Sequence, residues 1–95
     1  MIDPAGRVVR SLAGRDKGRS CVVLGICDEA HVYIVDGRTH KLCKPKKKKL
    51  KHLSFENKLV DLQKMPTAKS GAADAFIRNE LVAYDHSIEE PLKEG

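Results

Sequence analysis

At 95 residues the chain has room for one domain and one modest core, and with no Trp, two Tyr and two Phe that core must come mainly from Val, Leu, Ile and Ala. It holds no apolar run long enough to span a membrane, and Met1-Ile2-Asp3-Pro4 lacks the basic-then-apolar pattern of an export signal, so a cytoplasmic protein without a membrane partner is expected. The net charge of +5 hides an asymmetry, because residues 1–53 carry thirteen Lys or Arg against five Asp or Glu while residues 54–95 carry five against eight. A division of this kind turns one half of the chain toward a polyanion, whereas a basic surface kept for solubility would be spread evenly.

In chain order, Gly6 to Leu12 reads as a short strand with Val8 and Leu12 on one face and Arg10 between them. Ala13-Gly14-Arg15-Asp16-Lys17-Gly18 is a tight loop. Its glycines admit positive φ, Asp16 caps local amides, and Arg15, Lys17 and Arg19 point outward. Ser20 to Cys27 is the strongest strand signal, Asp28-Glu29-Ala30 turns the chain, and His31 to Val35 forms the next strand. Asp36-Gly37 is a two-residue hairpin signal, with Arg38 to Leu42 returning from it. Lys44-Pro45 ends that pairing, the unbroken run Lys46 to Lys49 follows, and Leu50 to Leu53 supplies a final weak strand.

The second half is different in character. Residues 54–65 read as mixed and partly helical, and residues 66–71 as a linker. Ser70 then caps a helix running to about Tyr84, with Asp74 in its first turn and Phe76, Ile77, Leu81 and Tyr84 on one stripe. The tail from Asp85 to Gly95 is acidic and is expected to be flexible. The reading is thus mostly β: an antiparallel barrel or meander in residues 1–53, followed by a helical extension and acidic tail in residues 54–95.

The stretch from Gly6 to Gly18 resembles a KOW motif, a strand, a glycine-containing loop and the start of a second strand. The likeness continues through Val22-Val23-Leu24, Val32 to Gly37 and Lys44 to Leu53. Residues 5–53 together resemble the KOW proteins related to the fourteenth eukaryote-type large-subunit ribosomal protein, including small bacterial RNA-binding relatives. That resemblance implies an SH3-like barrel that binds RNA, usually ribosomal RNA, without catalysis. Residues after Leu53 match nothing in it.

Physical chemistry points the same way. Glycine-bounded loops bring backbone amides close to phosphate oxygens, Arg15 and Arg19 offer two-pronged contacts, and Lys17 is a mobile point charge. Lys44, Lys46, Lys47, Lys48, Lys49 and Lys51 place six lysines in eight positions, a segment suited to following an RNA backbone. With Arg10, Gly14 and Arg38 they complete the expected RNA-binding set, and neutralising about five to eight phosphates would make affinity fall by orders of magnitude between low and moderate salt.

Other chemistries fit less well. Three cysteines cannot close a disulfide framework, and Cys21 and Cys27 share a strand. Cys27, His31, His40 and Cys43 have zinc-ligand types, but no knuckle of paired cysteines, and Cys27 ends an apolar strand; no metal or other cofactor is expected. Nothing specifies an orienter or oxyanion site beside a Cys-His pair, so no catalytic residue is assigned. Tyr33, in a strand of Val and Ile, reads as packing before base stacking. The expected partners of this monomer are large-subunit ribosomal RNA and, through the helix stripe, ribosomal proteins. The alternative is a protein-interaction KOW module of a transcription or translation factor.

Overall fold

The computed structural model describes residues 3–66 and 71–89, so the expected cap at Ser70 and the end of the acidic tail lie outside the described residues. Five strands, β1 (Arg7–Ser11), β2 (Ser20–Ile26), β3 (His31–Val35), β4 (Lys46–Lys49) and β5 (Leu53–Leu59), form one antiparallel sheet in the order β4-β3-β2-β1-β5. A single 3-10 turn, Leu50–His52, carries the chain from β4 at one edge to β5 at the other, curling the sheet into an open barrel. Its ends are tied by the Leu50 amide to the Ala30 carbonyl at 2.8 Å and by the Leu12 amide to the His52 carbonyl at 2.8 Å. The expected small SH3-like barrel with a C-terminal helix is the architecture found.

Strand alternation sorts the apolar side chains onto two faces. Val9, Cys21, Val23, Val32, Ile34 and Leu53 pack together on one. Val8, Val22 and Val35 turn to the other, where Val60 and, from α1 (Ala72–Glu89), Ile77 and Leu81 cover them. Phe76 and Tyr84 flank this second cluster half-buried, so the expected helical stripe is a packing stripe. Burying Ile77 and Leu81 stabilises by about 1.5–3 kcal/mol each. In β1 the buried neighbours are Val8 and Val9, one for each face, while Leu12 lies beyond the strand and is exposed.

Several expected elements differ. Asp36-Gly37 does not make a two-residue hairpin, and Arg38 to Leu42 is not a strand. Instead the Asp36 carboxylate accepts the Arg38 and His40 amides, both at 2.8 Å, and so organises a longer β3–β4 loop. The lysine run is itself β4, paired in register from Ile34–Lys46 to His31–Lys49, so Pro45 precedes a strand rather than ending one. Residues 50–52 form the 3-10 turn where a strand was expected, and β5 occupies 53–59 where helix was expected. Helix α1 continues past Tyr84 to Glu89, through the start of the segment expected to be a flexible tail.

Candidate nucleic-acid interface

The β1–β2 loop is built by its own backbone. The Lys17 amide donates to the Gly14 carbonyl at 3.2 Å, Gly18 to Ser11 at 2.8 Å and Arg19 to Asp16 at 2.8 Å. Gly14 and Gly18 make these closures with φ of +83° and +87°. Those three amides are therefore engaged inside the loop, and its outward chemistry is that of the exposed Arg15, Lys17 and Arg19 side chains.

Two side-chain contacts hold this loop beside β4 and the β3–β4 loop. His40 Nε2 lies 2.9 Å from Asp16 Oδ2, with both side chains largely buried. Asp16 was expected to cap local amides; its carboxylate instead faces another loop. The His40 hydrogen bond holds its carboxyl below the usual value, against an opposing push from burial. Lys48 Nζ donates to the Ala13 carbonyl at 3.1 Å. The carrier of this juxtaposition is strand alternation: Lys48, half-buried, and Lys46 project to the side of the β1–β2 loop, while Lys47 and Lys49 project to the side of Tyr33 and His31.

The expected cationic residues consequently separate into groups. Arg15, Lys17, Arg19, Arg38, Lys44, Lys46 and Lys51 are exposed. Lys47 and Lys49 are exposed on the other side of β4, where Lys47 Nζ is 4.0 Å from Asp28 and His31 Nδ1 is 2.8 Å from the same carboxylate. The His31 bond lowers the Asp28 pKa, so this side keeps a fixed negative charge. Arg10 points elsewhere. It donates to the Gly18 carbonyl at 2.9 Å, pairs with Asp85 at 3.2 Å, and has Glu56 at 3.9 Å. Tyr84 donates to Glu56 at 2.6 Å and Ser20 to Asp85 at 3.0 Å, so Arg10 belongs to the polar network that docks α1 on the barrel.

The chain is similar to a large-subunit ribosomal protein. The likeness is to the large ribosomal subunit protein eL14 of Staphylothermus marinus, 32% identical over 59 residues that cover 62% of this chain and 62% of the relative. The match thus spans less than two thirds of that protein. No family model matches the chain.

The four zinc-type residues do not converge on one point, and Tyr33 stays apart from the cationic loops. Cys27 follows the end of β2 and its amide donates to the carbonyl of His31 at the start of β3, while His40, bound to Asp16, follows the end of β3; Cys43 is exposed and all three cysteines are free. Among the described residues no group of three or more His, Cys, Asp or Glu is arranged to hold a metal, and no helix is long and apolar enough to cross a membrane. Tyr33 is half-exposed beside Lys47, on the side of β4 away from the β1–β2 loop. Sequence reasoning missed Arg78 on α1. Its Nη1 donates to the Gly37 carbonyl at 2.8 Å, bringing a guanidinium from the acidic half of the chain to the cationic loops. Its place on the polar flank of the Ile77 stripe gave no signal of this.

Proposed function

We propose that the protein is a non-catalytic, cytoplasmic RNA-binding protein of the ribosome, contacting RNA of the large subunit. The observation that carries this is the locking of the β1–β2 loop against the β3–β4 loop by His40–Asp16 and against β4 by Lys48–Ala13, which gathers Arg15, Lys17, Arg19 and Lys46 around one edge. Several exposed cations carried by neighbouring, mutually braced backbone segments favour a repeating polyanion over a single acidic side chain. The likeness to eL14, named as a protein of the large ribosomal subunit, supports the same reading. Lys44, Lys51 and, more weakly, Lys47 and Lys49 extend the contact along the strand. Sedimentation of a lysate at low and moderate salt tests it: the protein should travel with the large subunit and be released as salt rises. Sedimentation apart from ribosomal particles at both salts would overturn it.

One observation favours the second reading, a protein-interaction module. Ile26, Phe55 and Leu59 are exposed along clefts that also include Pro4 and Leu50, with the Arg7 guanidinium 5.7 Å from the Phe55 ring centre. This strip is apolar and separate from the cationic loops. It suits contact with a neighbouring ribosomal protein, alongside RNA binding rather than in place of it.

A further inference from the structure

A cleft of about 360 Å³ opens between α1 and the loops of the barrel, with Arg19, Ser20, Asp36, Arg38, Arg78 and Asp85 in its walls. We infer that this cleft is a subsite for one backbone phosphate of the bound RNA, held jointly by Arg38 and Arg78 with Arg19 at its mouth; the inference rests on the RNA-binding reading above. Three arginines from three elements line this cleft, and among the described residues none of the three is in an ion pair. Two carboxylates share these walls, Asp85 balanced by Arg10 and Asp36 buried, so three arginines stand against one uncompensated negative charge. Asp36 accepts the Arg38 and His40 amides, and Asp85 accepts Arg10 at 3.2 Å and Ser20 at 3.0 Å. A guanidinium carries five N–H donors in a fixed fork, and the Gly37 carbonyl takes one side of the Arg78 fork, so the group is aimed while donors remain for a phosphate.

The backbone of the β3–β4 loop is braced against α1 before any ligand arrives. Gly37 adopts φ +77°, and a Cβ there would run into the Asp74 carbonyl of α1, so the loop lies directly on the helix backbone. Asp74 in turn accepts the Leu42 amide at 2.8 Å, pinning the far part of the same loop. With the Arg78 guanidinium already aimed by Gly37, that side chain loses less ordering entropy on binding than a free one would. Arg19 belongs both to this cleft and to the β1–β2 loop, so an RNA strand crossing that loop passes the cleft mouth.

The test compares the parent chain with Arg38→Gln, Arg78→Gln and the double variant, titrated with large-subunit ribosomal RNA at several salt concentrations. Arg38 is on an exposed loop, and thermal melts check that Arg78→Gln, which alters the Gly37 bond, remains folded. Each single variant should lose about tenfold in affinity. Because either arginine alone still neutralises the shared phosphate, each single variant should leave the slope of log K against log salt nearly unchanged, and the double variant should lower it by one phosphate's worth, about 0.7–0.9. Affinity unchanged in both single variants, or a slope loss of about 0.7–0.9 in each single variant that doubles in the double, would overturn the cleft while leaving the RNA reading in place. Absence of salt-sensitive binding by the parent would overturn both.

Discussion

Replacing Arg15 and Lys46 together, or Lys47 and Lys49 together, removes two positive charges in each case, so a protein held by net charge alone would respond equally. The structure separates the pairs. Arg15 and Lys46 are exposed on the side where the β1–β2 loop meets β4, whereas Lys47 and Lys49 alternate to the side of Tyr33 and the Asp28 carboxylate. Each lysine or arginine that releases a counterion contributes about 0.7–0.9 to the slope of log K against log salt. Two such contacts are worth about 1.4–1.8 log units at 0.1 M salt, a loss of about 25- to 60-fold for the first pair. The second pair, already close to a fixed negative charge, should lose less than about fourfold. Fluorescence-anisotropy titrations of labelled ribosomal RNA fragments, run from low to moderate salt, read both affinity and slope. Equal losses for the two pairs would refute the assignment of the interface to the loop side of β4.

Other consequences follow from packing and titration. Lys48→Ala removes the bond to the Ala13 carbonyl and should lower unfolding free energy by about 1 kcal/mol, while Lys46→Ala should stay within about 0.5 kcal/mol, both read by urea denaturation. Ile77→Ala, at a fully buried contact between α1 and the sheet, should cost about 2–5 kcal/mol; a melt unchanged from the parent would mean that α1 is not part of the core. Because the Asp16 carboxyl is held below its ordinary value of 3.8, it stabilises the folded form at all higher pH and ceases to do so only as pH falls through the lowered value. Asp16→Asn should therefore flatten the acid limb of the stability curve measured by circular dichroism. Burial pushes the Cys21 thiol up to about 12, so a thiol reagent at pH 8 should titrate Cys43 and Cys27 in the native protein and reach Cys21 only after unfolding.

The barrel strands were legible because each obeys a local rule. Val22 and Val23 in β2, and Val32 and Ile34 in β3, are β-branched residues bounded by turn formers, and the register then follows from which face must be dry. The lysine run was not legible as a strand, since four lysines in a row carry no alternation of polarity; β3 supplies the pairing, and a charged edge protects the sheet from joining another. For β5 the pattern Leu53, Phe55, Leu59 was diluted by Ser54, Glu56, Asn57 and Lys58, and the strand is fixed instead by the closure of the barrel against β1. The Asp36-Gly37 pair carried a turn signal of the wrong length. Its side chain satisfies amides two and four residues on, and Gly37 is needed for the approach of α1, a contact separated by 37 positions from the glycine to Asp74.

The same distinction applies to the cations. Arg10 and Arg38 each count as one positive charge in the basic half of the chain, and the sequence ranks them alike. Arg10 lies on β1, where the neighbouring strand β5 brings Glu56 and the docking of α1 brings Asp85 to it, so its charge is balanced within the fold. Arg38 lies on the loop that Asp36 shapes, with its side chain in the open cleft. Helix α1 thus acts on the charge map twice: its Asp85 withdraws Arg10 from the surface, and its Arg78 adds a guanidinium beside Arg38. A polyanion meeting this protein would be steered by the charge of the barrel half, but the register of contact would be set by the few guanidiniums that packing leaves unpaired.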